Sequence, residues 1–201
     1  MNIWLELALD TLRDPKETAQ KIMGWNLDRF TLYMALFAVA AINVLLASAP
    51  VILATGEVDP ELRAALPILG LLERPLIFFA LVAGTLVVMI QALYWAGRAM
   101  GGQGSLGEMM ALLIWLQAMR AMAQFIILAL GLITPALSML AALVLQIVAL
   151  WLFLHFLSAA LRFDSLFRAF GLLIAVAAGL VLGLMLILSL MGVSAGGLTH
   201  V

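Results

Sequence analysis

The sequence predicts an all-α integral membrane protein, a bundle of five transmembrane helices preceded by short amphipathic interfacial helices. Three observations predict it. Hydrophobic residues make up 66% of the chain and the mean hydropathy is +1.21, whereas about half the residues of a soluble domain are apolar. The few charged residues gather between apolar runs rather than within them. Five of those runs reach about 20 residues or more, enough for a helix to cross a hydrocarbon core near 30 Å. In 201 residues there is room for these spans and little beside them.

Composition also excludes some functions. The chain has no cysteine, so disulfides and thiolate chemistry are ruled out. His155 and His200 lie far apart in sequence, and neither a metal site nor a cofactor site is predicted. A net charge of -1 gives no sign of nucleic-acid binding.

Residues 1–28 read as amphipathic interfacial helices. Ile3, Trp4, Leu5, Ala8 and Leu12 share one side of a helical wheel, with Glu6, Asp10, Arg13 and Glu17 on the other. This stretch has no basic leader and no continuous apolar core, so it does not read as a signal peptide. Asp14-Pro15-Lys16-Glu17 begins a second helix, with Asp14 as N-cap, Pro15 at the first helical position and Glu17 as capping-box partner. Gly24 ends it and Trp25 suits the headgroup level. Two placements remain open for the pair: lying on the membrane, or packed on the end of the bundle.

Residues 29–191 form the five-span transmembrane domain. The first span covers about 29–49, closed by Pro50. A polar loop from Thr55 to Arg63 follows, carrying Glu57, Asp59 and Glu61, and then a short apolar stretch over 66–74 whose placement, interfacial or not, the sequence leaves open. The second span, about 75–97, ends in the interfacial anchors Tyr94 and Trp95. Gly102-Gln-Gly104-Ser-Leu-Gly107 matches the dinucleotide fingerprint in letters only, because no strand precedes it. It reads as a tight turn, with Ser105 and Glu108 forming a capping box for the third span, about 107–130. Thr134 caps the fourth, about 135–161, with Pro135 as its first residue. Asp164 or Ser165 caps the fifth, about 166–191, and residues 192–201 form a flexible tail.

Charge asymmetry gives the orientation. With the N-terminus cytoplasmic, that side holds Arg13, Lys16, Lys21, Arg29, Arg98, Arg162 and Arg168, against Arg63 and Arg74 on the other. The excess predicts a cytoplasmic N-terminus and an external C-terminus.

The intramembrane polar residues are the candidate site: Asn43, Gln91, Gln117, Arg120, Gln124, Gln146 and His155. Gln117, Arg120 and Gln124 share a helix face by their i, i+3, i+7 spacing. At 1.5 Å per residue, Asn43, Arg120 and Gln146 fall in one layer roughly 20 Å from the cytoplasmic face, with Gln91, Gln117 and His155 nearer to it. An intramembrane charge points to a cavity or a partner, while amides between helices also serve as packing glue. Gly171, Ala175, Gly179 and Gly183 form a small-residue stripe that lets another helix approach closely. No HExxH, no GxSxG and no carboxylate pair occurs within a span, so no enzymatic activity is expected.

The order of parts resembles a known family. Asp14-Pro15-Lys16-Glu17 precedes five spans; Tyr94-Trp95-Ala96-Gly97-Arg98 leads into Gly101-Gly102-Gln103-Gly104-Ser105-Leu106; Ser165-Leu166-Phe167-Arg168-Ala169 opens the last span. From about Leu9 to Met191 the chain is similar to the Yip (Ypt/Rab-interacting) family of five-span membrane proteins, in its compact bacterial branch. The resemblance implies an integral protein of a bacterial cytoplasmic (inner) membrane, concerned with membrane organisation or lipid handling. Eukaryotic members act with Rab-type GTPases, but their acidic Gly-Pro and Gly-Tyr motifs have no counterpart here. The expected function is therefore a non-enzymatic organiser of membrane or partner proteins, with membrane lipids, another copy or other membrane proteins as partners. The alternative is a lipid-handling or small-solute transport protein using a polar groove around Arg120.

Overall fold

The computed structural model describes residues 3–53 and 68–190. They form α1 (Ile3–Arg13), α2 (Pro15–Met23), α3 (Arg29–Leu53), α4 (Ile68–Leu72), α5 (Pro75–Ala99), α6 (Leu106–Gly131), α7 (Pro135–Leu161) and α8 (Leu166–Leu190). Of these, α3, α5, α6, α7 and α8 are long and apolar enough to span a membrane, so the protein is an all-helical integral membrane protein. The acidic loop with Glu57, Asp59 and Glu61, and the tail 192–201, lie outside the described residues.

Local sequence sets most helix starts. Asp14 accepts the Glu17 amide at 3.0 Å and Pro15 opens α2. The other half of the expected box does not form: the Asp14 amide donates to Asp10 O (2.8 Å), and the Glu17 carboxylate pairs with Lys21 at 3.0 Å. An i,i+4 Glu–Lys pair draws the side chain outward. At α6 the box is complete, with Glu108 N–H to Ser105 Oγ at 3.1 Å and Ser105 N–H to Glu108 Oε2 at 2.7 Å. Thr134 caps α7, and at α8 Ser165 rather than Asp164 accepts the Arg168 amide. Asp28 precedes α3; hydrogen bonds from the Thr31 hydroxyl and amide hold its carboxyl below the ordinary range.

The first span outruns its expected end. Helix α3 continues through Pro50 to Leu53. Proline removes only its own backbone donor, whereas leaving helical geometry in lipid would expose several polar groups.

In the bundle, α6 is the hub, packed against α3, α7 and α5, while α8 completes the arrangement between α7 and α5. The core is lopsided. Leu32, Leu36, Leu93, Met109, Leu112, Phe156, Leu157, Leu161 and Leu172 are almost fully buried, and all lie in the halves of their helices nearer α1 and α2. Among the described residues, α7 buries nothing before Leu152 and α8 nothing beyond Val176.

The two N-terminal helices belong to that core. Helix α2 buries Thr18, Ala19 and Ile22 and packs on α7 and α6. Helix α1 divides its surface differently: Ala8 and Thr11 are buried, while Leu5, Leu9 and Leu12 stay exposed beside the polar strip of Glu6 and Arg13. One apolar face meets protein, so the pair packs on the end of the bundle, and a second apolar face is left exposed.

Candidate functional site

The structure brings together only part of the polar set. The Asn43 side-chain amide donates to Val39 O in its own helix (2.8 Å) and to Gln117 O across to α6 (3.0 Å). That bond joins α3 to α6 at mid-span. Gln91 is half-buried at a crevice between α3, α5 and α6, shared with Tyr33 and Met110 and too small for a water. The side chains of Gln91, Gln117, Gln124, Gln146 and Arg120 make no hydrogen bond among the described residues. Arg120 and Gln146 are exposed; Gln117 and Gln124 are half-buried.

His155 lies one and a half turns before the end of α7, half-buried. Its Nδ1 is 2.9 Å from Trp151 O, and its ring stacks at a tilt 4.6 Å from the Trp151 ring. A carbonyl only accepts, so Nδ1 carries the proton and Nε2 is left to accept, or to donate once protonated.

The stripe on α8 meets no partner among the described residues. A Cβ added at Gly171, Gly179 or Gly183 would meet no heavy atom within 4 Å, and Ala175 is exposed. The glycines of the α5–α6 turn behave oppositely. A Cβ on Gly97 would come within 2.5 Å of Leu161 Cδ1, one on Gly102 within 2.8 Å of Gly97 O, and one on Gly104 would overlap the carbonyl of Ala160. Their lack of side chains lets the turn press on the end of α7, where the Gln103 amide donates to Leu161 O at 3.0 Å. Beside it, Arg162 Nη2 reaches Glu108 Oε1 at 3.1 Å and ties the start of α6 to the end of α7.

Two clusters escape a reading of the sequence by segments. Trp4, Trp25 and Trp115 meet pairwise with ring centroids 6.2–6.3 Å apart, and Trp115 Nε1–H donates to Thr11 Oγ1 at 2.9 Å. The second is a groove of about 680 Å³ between α2 and the α7–α8 connection, lined in part by Lys16, Gln20, His155, Arg162 and Ser165. The only signal in sequence was the excess of basic residues at this end. Among the described residues no cluster of three or more His, Cys, Asp or Glu could hold a metal.

A helical hairpin packed on one end of five apolar helices, with polar and small residues left open along them, defines a five-span helical membrane protein. The chain belongs to the Yip1 family: the Yip1 domain model matches residues 9–188. Comparison with curated proteins and with solved structures gives no match.

Proposed function

We propose that this Yip1-family protein is a non-enzymatic membrane organiser that gathers other membrane proteins, or further copies of itself, on the open faces of its spans. One observation carries the reading: a Cβ added at Gly171, Gly179 or Gly183 meets nothing within 4 Å among the described residues. Small residues at four-residue spacing allow the close helix approach on which association in lipid depends. Arg120, exposed and without an ion pair among the described residues, gives the same spans a group that calls for a partner. The basic residues favour a cytoplasmic N-terminus in a bacterial cytoplasmic membrane.

The test is association in vesicles, followed by energy transfer between labelled copies and by cross-linking to native membrane partners. Gly179→Leu is expected to abolish association while leaving the melting temperature of the solubilised chain unchanged. Undiminished association in both Gly179→Leu and Arg120→Leu sinks the proposal.

A second reading, lipid handling or small-solute transport along a groove at Arg120, draws on that residue's exposure. It requires a lipid or solute flux through reconstituted vesicles that Arg120→Leu removes.

A further inference from the structure

We propose that the groove between α2 and the α7–α8 connection is a binding site for a phosphate group. Its lining carries two cations, Lys16 from α2 and Arg162 at the end of α7, with the His155 ring beside them. Asp164 is the one carboxylate in the lining, and it is engaged by Arg168 at 3.6 Å. Lys16 has no ion-pair partner among the described residues, so its charge is uncompensated. Arg162 uses one nitrogen on Glu108, and a guanidinium has five N–H donors in all.

The backbone at Arg162 sharpens the inference. It closes α7 in the left-handed conformation, with φ of 56°, a position where glycine is unstrained and a residue with a Cβ is not. The chain tolerates that strain at the one position whose guanidinium both lines the groove and is steadied by Glu108. Ser165 adds the opening turn of α8, whose first amides have no helical acceptor and carry partial positive charge. Such amides bind phosphate oxygens well. A mobile lysine beside a fixed guanidinium-and-amide wall matches a tetrahedral oxyanion.

The phosphate can belong to a lipid headgroup or to a free ion; Met23, Phe163 and Leu166 beside the charges suit the acyl-bearing form. The full chain in neutral detergent, titrated with phosphatidic acid and separately with inorganic phosphate, is read by native mass spectrometry. A single phosphatidic acid adduct is expected, weakened about tenfold in Lys16→Gln, which is about 1.4 kcal/mol. Lys21→Gln, whose lysine is engaged by Asp10 and Glu17, is expected to bind as the parent does. Ser165→Asp keeps a good N-cap while placing a negative charge in the groove, and is expected to abolish the adduct in a folded protein. Competition by inorganic phosphate identifies a free-ion site; an adduct it does not displace identifies a headgroup site. The proposal is overturned by no binding of either probe, or by adducts that persist unchanged in both Lys16→Gln and Ser165→Asp.

Discussion

Trp115 Nε1–H donates to the Thr11 hydroxyl at 2.9 Å, across 104 residues of chain. The same hydroxyl donates to Leu7 O at 2.8 Å, and Thr11 is fully buried. Thr11→Val keeps the shape but strands the indole N–H away from water, a loss of about 1–3 kcal/mol. For a chain of this size that lowers the melting temperature by about 2–4 °C per kcal/mol, with a matching loss of near-ultraviolet dichroism from the tryptophan cluster. Unchanged melting and dichroism would show that the N-terminal hairpin docks without this bond.

Glycine position, not glycine content, decides tolerance. Gly104→Ala drives a methyl group into the Ala160 carbonyl, and backbone cannot yield as a flexible side chain does. The expected cost exceeds the roughly 1–3 kcal/mol of ordinary overpacking, seen as poor expression and a lowered melting temperature. Gly171→Ala, facing open space, is expected to leave the solubilised chain as stable or slightly more stable. Parallel melts of the two variants in detergent check the contrast.

Among the described residues Arg120 has no partner to lose. Arg120→Leu is expected to leave the melting temperature of the isolated chain unchanged, and to improve membrane insertion by removing a charge that costs about 2.5–3.5 kcal/mol at mid-helix on insertion scales. A clear fall in melting temperature in detergent would instead make the arginine an internal strut.

Acid should act on the entry to α3. The folded-state pKa of Asp28 lies below its ordinary value of 3.8. Its contribution is therefore complete above the unfolded value and fades as pH falls through the folded one. Asp28→Asn is expected to flatten the acid limb of the melting-temperature profile; an identical limb would place that limb's origin in other carboxylates.

What the sequence made legible was local or one-dimensional. Run length delivers the spans, and residues such as Ser105, Glu108, Thr134 and Ser165 mark helix starts because their partners sit three residues away. Counting along helices gives depth only to within a turn: Asn43 meets α6 at Gln117, one turn short of Arg120 in the layer expected for it. Depth carries no information about rotation. Neighbouring spans fix which way a helix turns its faces, and that left Arg120 and Gln146 exposed rather than sharing a bonded layer with Asn43. Contacts between distant segments stayed out of reach for the same reason. Nothing near Gly104 announces that Ala160 will lie against it, and nothing near Thr11 announces Trp115.

The one-sided core has a consequence for how the protein comes apart. Its largest buried side chains gather at the end where α1 and α2 dock, and among the described residues the opposite ends of α7 and α8 bury none. Opening should therefore proceed lengthwise, with amide exchange graded along each helix instead of differing from helix to helix. The cooperative unit is a slice across the five spans, not any one of them.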